Sequence, residues 1–122
     1  MNIKEEFRLA LRELVYPVCV VSAYNDETKE NHAITVSSVT SLSFEPPSIL
    51  VCINKDSSIH SSLKKDSNFN ISFLSSSQTE ISNLCGTDEL SDKRFDNDFW
   101  EFKNNIGFIK NSQSVISCTI KE

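Results

Sequence analysis

The sequence predicts a mainly β fold: a β-barrel carrying short accessory helices, in preference to a sheet built from βαβ units. Three observations lead there. Short apolar runs rich in β-branched residues recur at 18–23 and 48–53. Strict two-residue alternation marks 69–74 and 114–121. Helical periodicity is confined to the N-terminus and two brief inserts, too short to serve as crossover helices between parallel strands.

Taken in order, residues 2–14 read as a helix, with Ile3, Phe7, Ala10 or Leu11, and Leu14 at the helical period. Asn2 is the expected N-cap, and Glu5 and Glu6 suit the positive end of the helix dipole. Pro17 ends it and biases Tyr16 to an extended conformation. Val18–Ala23 is a buried strand, and the polar stretch Tyr24–Asn31 a hairpin loop. Ala33–Ser43 is extended, with Ile34 and Val36 alternating against Thr35 and Ser37. The alternation slips at Ser38-Val39, which predicts a β-bulge. Pro46-Pro47 interrupts the sheet and Ser48–Ile53 resumes it. Ser58–Asp66 is a short helix with Ser58 as cap and Ile59 and Leu63 on one face. Phe69–Leu74 is a half-buried strand. Ser77–Leu84 is a second helix with a capping-box pattern, Ser77 to Glu80, closed by Gly86. Thr87–Asn105 is irregular, and Ser114–Lys121 is the last strand.

A chain of 122 residues, 39% hydrophobic and 24% charged, suits one globular domain with a single core. Its net charge of −5 argues against a general nucleic-acid binder, which would present a basic face. No apolar run approaches the roughly 20 residues of a membrane span. The N-terminal residues lack a signal peptide's apolar centre, so a cytoplasmic location is expected. Two glycines cannot build a glycine-rich phosphate loop. The adjacent carboxylates Glu5 and Glu6 lie on a helix surface and do not form a glycosidase-type pair.

Cys19, Cys52, Cys85 and Cys118 are 33 residues apart each time. Their flanks do not match in register, so the spacing is not a repeat. No pair has the spacing of a zinc knuckle or a redox Cys-x-x-Cys. Cys19, Cys52 and Cys118 fall in strand-like runs and are expected to be small buried hydrophobes.

The chemistry concentrates between Thr35 and His60. Six of the nine residues from Thr35 to Ser43 carry a hydroxyl. Extended backbone with short hydroxylated side chains lets a flat polar ligand approach closely and offers it many hydrogen-bond groups. Past the next strand, Asn54-Lys-Asp-Ser-Ser-Ile-His60 adds hydroxyls, a lysine and a histidine. Together they suit an anionic cofactor such as a flavin nucleotide.

An ordered series of segments then resembles the flavin reductase family, with its FMN-binding split barrel. The series runs from Phe7–Arg12 and Pro17–Ala23 through Ile34–Pro47, Ile49–Ile53 and Ser57-Ser-Ile-His60 with Leu63. It continues with Phe69–Leu74, Gln78, Ile81–Leu84, and Asp92-Lys-Arg-Phe95 with Trp100. The resemblance implies an antiparallel, Greek-key-like split barrel occupying residues 1–122 as one domain that lacks the family's C-terminal part. The Gly-Asp-His motif associated with nicotinamide binding is not among these residues. The loop 24–31 lacks the family's glycines, and Cys85 stands where phenylalanine is usual.

The resemblance further implies an NAD(P)H:flavin oxidoreductase. FMN or FAD would be bound, NADH or NADPH would be the co-substrate, and reduced flavin would pass to a partner monooxygenase. Family members are commonly homodimers. Resemblance places Thr35, Val36, Ser37 and Ser38 along the ring and ribityl chain, and Asn54, Lys55, Ser57, Ser58 and His60 around the phosphate. Arg94 or Lys93 adds charge there, Arg94 being favoured. A Ser58-capped helix would present N–H groups to the phosphate. Hydride transfer from nicotinamide to flavin needs no protein acid or base, so no catalytic residue is expected, nor any metal.

Plainer readings compete. With 20 serines in the chain, a hydroxyl cluster is less surprising, and Thr35–Ser43 could be a solvated strand face. His60 alone would be a surface or cap residue, and Trp100 with Phe99 and Phe102 a cover for the core. Asp88–Asp98 reads as a solvated loop. Two other functions remain open: an electron-transfer flavoprotein that retains FMN, and a non-enzymatic small β-domain mediating assembly.

Overall fold

The computed structural model describes residues 2–12 and 18–122. Eight strands, two α-helices and two 3-10 segments follow one another along them. Helix α1 spans Ile3–Arg12 and is capped as expected: Asn2 Oδ1 accepts from Glu5 N at 2.9 Å. Its predicted apolar face is not covered, because Ile3 and Phe7 are exposed. Leu14, Tyr16 and Pro17 lie outside the described residues.

The main sheet is antiparallel with the order β2-β1-β5-β8, built from β1 (Cys19–Asn25), β2 (Glu30–Val36), β5 (Asn68–Phe73) and β8 (Ser114–Thr119). β1 is covered on both faces, which explains why its sequence is a continuous apolar run rather than an alternating one. Cys19, Val21 and Ala23 face one core with Ile59, Phe69 and Ile71. The hairpin of β3 (Val39–Phe44) and β4 (Pro47–Val51) closes that side through Val39, Ile49 and Val51. Val20 and Ala33 face a second core with Ile81, Cys85, Trp100 and Ile109. Helix α2 (Thr79–Gly86) and the hairpin of β6 (Trp100–Lys103) and β7 (Ile106–Ile109) cover this side. Among the described residues the strands thus form three separate sheets wrapped around two cores, without closing into one barrel.

Polar side chains fasten β7 to the sheet. Ser22 Oγ and Asn70 Nδ2 both donate to Gly107 O, at 2.5 and 3.1 Å, and Ser72 Oγ accepts from Ile109 N at 3.0 Å. All three side chains are buried, so these bonds satisfy main-chain groups that water cannot reach.

Several expectations need correction. The irregularity placed at Ser38-Val39 is instead a break between β2 and β3 at Ser37-Ser38, followed by a register shift between Ser41 and Ser43. Thr87–Asn105 is not wholly irregular: it holds a 3-10 segment, Asp88–Lys93, and strand β6. The capping box at Ser77 does not form. Gln78 occupies the cap position, while Ser77 Oγ pairs with Ser75 Oγ at 3.0 Å. Gln78 spends both ends of its amide elsewhere, accepting from Ser75 N and donating to Lys110 O, each at 2.8 Å. Cys52 is exposed and Cys118 half-buried, because both lie where the strands meet solvent; Cys19 is buried as expected. The 24–31 loop turns without glycine because Lys29 adopts a positive φ of 63°.

Candidate functional site

The hydroxyl-rich segment leaves the main sheet at the end of β2. There Thr35 Oγ1 donates to Ser82 O on α2 at 2.7 Å. Thr35 therefore points to the helix, and its Cβ lies 3.5 Å from where a side chain at Gly86 would begin. Val36 faces the first core, so only its backbone is available to a ligand. Ser37 is exposed and makes no hydrogen bond among the described residues, which leaves its hydroxyl free. Ser38 donates to Cys52 O at 2.9 Å and its carbonyl accepts from Cys52 N at 3.4 Å, tying the start of β3 to the end of β4.

From that tie the chain enters the second polar turn. Asn54 Oδ1 accepts from Asp56 N at 2.9 Å, and Ser57 Oγ donates to Asn54 O at 2.6 Å. The helix expected from Ser58 is a 3-10 segment, Ser58–Ser62, whose cap position is Ser57. Neither serine caps it through its side chain, so the predicted Ser58 cap is not formed. Five residues of 3-10 helix also carry too little dipole to act as an anion site. What the turn does is seat Ile59 in the core and present the Ser58 side chain outward, with no hydrogen bond to its hydroxyl among the described residues.

A cleft of about 240 Å³ opens between this turn, β2 and the 3-10 segment Asp88–Lys93. Its walls are Ile34, Asp56, Ser57, Ser58, Asp88, Ser91 and Arg94. Three predicted residues, Ser57, Ser58 and Arg94, thus share one cavity, whose β2 wall is Ile34, the sequence neighbour of Thr35. Asn54 supports the turn from behind. Lys55 and His60 are exposed and do not line the cleft, and neither does Lys93. Thr35, Val36, Ser37 and Ser38 run along the strand edge outside it.

Arg94 is the cation of this cleft, and it is 6% exposed. Its guanidinium donates to Ala33 O at 2.6 Å, Leu84 O at 3.3 Å and Thr87 O at 3.3 Å. No carboxylate lies within ion-pair distance among the described residues. The three carbonyls come from β2, α2 and the turn after α2, so one side chain joins three walls. Trp100 Nε1 donates to Arg94 O at 2.6 Å, which fixes the main chain at the same point. Close by, burial pushes the Cys85 thiol up to about 11, although the charge of Arg94 pulls the other way.

Sequence reasoning missed Asp56, Asp88 and Ser91 as cleft residues. The acidic run 88–98 reads as solvated loop, and nothing in its spacing reveals that its first turn lines a cleft with Ile34 of β2. A larger groove of about 560 Å³ lies between β8 and the β6–β7 hairpin, and no predicted site residue lines it. Two of its amide oxygens are engaged: Ser117 Oγ donates to Asn70 Oδ1 and Thr119 Oγ1 to Asn68 Oδ1, each at 2.8 Å.

The small cleft offers groups that an anion could use. An unbonded hydroxyl at Ser58 and a buried guanidinium without a carboxylate partner suit a phosphate. Its volume falls below the range typical of sites that enclose a whole organic ligand.

Comparison with known proteins gives a consistent result. Residues 11–122 match the family described as flavin reductase like domain. Over 118 residues the chain is 29% identical to the reductase component of FADH(2)-dependent resorcinol hydroxylase from Rhizobium sp. (strain MTP-10005), covering 96% of this chain and 66% of that protein. Over 83 residues it is 34% identical to NADH:riboflavin 5'-phosphate oxidoreductase of Streptomyces pristinaespiralis, covering 68% of this chain and 47% of that one. The chain therefore spans between about half and two thirds of the length of these curated relatives. Among solved structures it superposes on BorF, the flavin reductase component of a bacterial two-component tryptophan halogenase. There the TM-score is 0.81 and the identity 26%, over 95% of this chain and 73% of that one. The NADH:FAD oxidoreductase SgcE6 of Streptomyces globisporus, solved with NAD and FAD fragments, shares the fold with a TM-score of 0.85 at 23% identity, over 98% of this chain and 71% of that one.

Proposed function

Since the chain belongs to the flavin reductase like family, we propose that it binds FMN, or FAD, and reduces it with NADH or NADPH. Reduced flavin would then pass to a partner monooxygenase. The observation that carries this reading is the match across residues 11–122 together with a cleft that joins Ser57, Ser58 and the buried Arg94.

The residues divide by what each can offer. Ser58 donates a hydroxyl hydrogen bond to the phosphate, Ser57 accepts or relays one, and Arg94 supplies positive potential. Thr35 and Ser38 are locked to Ser82 and Cys52, so they hold the strand edge flat rather than grip the ligand. Val36 and Ser37 offer backbone groups and one free hydroxyl to the ring and ribityl chain. Bound flavin supplies the hydride-accepting ring. The chain's share is to orient that ring and keep its polar edge paired.

A homodimer in the cytoplasm is part of the same proposal. The β3–β4 hairpin leaves Leu42, Phe44 and Leu50 exposed, apolar surface that a partner copy would cover. No helix among the described residues is long and apolar enough to cross a membrane.

The test is direct. The purified protein should take up FMN, with absorbance near about 450 nm from the cofactor itself, and NADH should bleach it rapidly. A yellow protein that NADH does not bleach would be an electron carrier instead. A colourless protein that ignores added FMN would sink both flavin readings.

A further inference from the structure

Helix α1 carries an apolar stripe that this chain leaves open. Ile3, Phe7 and Ala10 recur at the helical period, on one side of the helix. All three are exposed, Ile3 at 77% and Phe7 at 64%. Among the described residues, the hydrogen bonds and ion pair of α1 stay within residues 2–12: Asn2 caps Glu5, and Arg8 pairs with Glu5. A ten-residue helix without tertiary cover is marginal in water, so its formation calls for a partner surface. The β3–β4 hairpin leaves apolar surface of the same kind open, at Leu42, Phe44 and Leu50.

The two surfaces match in charge and in size. Glu45, next to Phe44, is the only charged residue from Ala33 to Asn54. Lys4, which flanks the α1 stripe, has no ion-pair partner among the described residues. Ile3, Phe7, Leu42, Phe44 and Leu50 leave roughly 750 Å² open in each chain. One chain's helix on the other's hairpin, repeated by two-fold symmetry, would cover up to about 1,500 Å², the size of a stable specific interface. We infer that α1 is the dimerisation element of this chain. Its stripe docks on the β3–β4 hairpin of a second copy, and the second copy's α1 docks in return. The inference rests on the proposed homodimer and adds which element of one copy meets which element of the other: helix to hairpin, not hairpin to hairpin.

The experiment compares the full-length wild type, Phe7→Glu, Phe44→Glu and an equal mixture of the two variants by sedimentation. The wild type should be a dimer. Each variant alone should raise the dimer dissociation constant by about 100-fold or more, because two-fold symmetry removes two buried phenylalanines at once. The mixture should form a heterodimer. One of its two contacts then joins an unaltered helix to an unaltered hairpin, so it should be weaker than the wild type and tighter than either variant alone. Trp100 is buried in the second core, away from both substitutions in the chain, and unchanged emission shows that each variant is folded. Ile3→Glu, on the same stripe, repeats the series should Phe7→Glu not fold.

A dimer that survives Phe7→Glu and Ile3→Glu overturns the inference, since the helix then lies outside the interface. A dimer that survives Phe44→Glu overturns it from the other side. A mixture that stays monomeric means that like surfaces pair with like, hairpin on hairpin, and overturns it too. These results leave the homodimer standing. A monomeric wild type removes the homodimer itself.

Discussion

The guanidinium of Arg94 donates a 2.6 Å hydrogen bond to the carbonyl oxygen of Ala33, joining residues 61 apart in sequence. The bond pins the segment after α2 to strand β2, and the cleft forms where the two meet. Replacing Arg94 by Met strands three buried or half-buried carbonyls that water reaches poorly. Each such group costs about 1–3 kcal/mol, less whatever water recovers. We expect a loss of about 3 kcal/mol, or roughly 10 °C in melting temperature for a domain of this size, read by thermal denaturation. A drop within about 1 °C would show that the walls do not depend on this side chain.

Gly107 is the tightest point in the second core. A Cβ there would lie 2.8 Å from Trp100 Cε3 and 3.1 Å from Phe102 Cε1. The rings cannot easily retreat, since Phe95 packs on Trp100 with centroids 4.4 Å apart. The Gly107 carbonyl is held by Ser22 and Asn70 from the other side. Gly107→Ala should cost about 1–3 kcal/mol by overpacking. Trp100 is the chain's single tryptophan, so its fluorescence spectrum reports the shift. Unchanged emission and stability would mean that the hairpin moves freely.

What the sequence reveals of this fold depends on whether local rules and tertiary contacts agree. β5 and β8 are legible because Phe69, Ile71 and Phe73 alternate, as do Ile116, Cys118 and Ile120; all but Ile116, which is 42% exposed, pack on the first core. The β6–β7 hairpin escaped notice because its strands are four residues long and its turn is Asn104-Asn105 rather than Asn-Gly. Both asparagines have positive φ, 53° and 71°, which asparagine tolerates in a two-residue hairpin turn. That pair between apolar segments was an available cue. The predicted caps failed for a different reason. Ser77 Oγ pairs with Ser75 Oγ, and the 3-10 segment takes Ser57 rather than Ser58 as its cap position, with the Ser57 hydroxyl spent on Asn54 O. The site is legible only in halves. Ser57 and Ser58 stand out as hydroxyls in a turn, but their meeting with Arg94, 36 and more residues away in sequence, depends on how the segment after α2 folds back on β2.

Ser58 offers the one cleft-lining serine hydroxyl other than Ser91 with no hydrogen bond among the described residues, and Ser37 is similarly free on the strand edge. Ser58→Ala should weaken FMN binding by about 1.5–3 kcal/mol, roughly 10- to 100-fold, if its partner is the phosphate. Ser37→Ala, facing neutral ribityl or ring groups, should cost about 0.5–1.5 kcal/mol. Titration by fluorescence quenching gives both numbers. Thr35→Val should instead lower stability, since its hydroxyl serves Ser82. If the double variant Ser37→Ala/Ser58→Ala binds FMN as the wild type does, neither residue belongs to the site.

Cys85 links stability to alkaline pH. Burial pushes its thiol from 9.0 to about 11 in the fold. The unfolded chain then loses this proton near pH 9 while the folded chain keeps it. Stability from this group is complete below pH 9 and falls as pH rises toward 11, by up to about 3 kcal/mol over the two units. Burial raises the thiols of Cys19 and Cys118 as well, so they act with the same sign. Urea midpoints between pH 8 and 11 should fall more steeply for the wild type than for Cys85→Ala. Parallel curves would show that the thiol does not titrate differently on folding.

Phe44 is 90% exposed at the end of β3, with Leu42 and Leu50 exposed on the same hairpin. Hydrophobic side chains of this size cluster on a monomer's surface mainly where something covers them. Phe44→Glu places a charge in the proposed interface without touching either core or the cleft. Sedimentation should show the wild type as a dimer and the variant as a monomer at the same concentration, with the melting temperature of the monomeric variant concentration-independent. Because Phe44 lies away from Ser57, Ser58 and Arg94 in the chain and lines no part of their cleft, a phosphate-end contact confined to one subunit should survive the change. A wild type that sediments as a monomer would leave the hairpin patch without a partner and remove the dimer from the proposal.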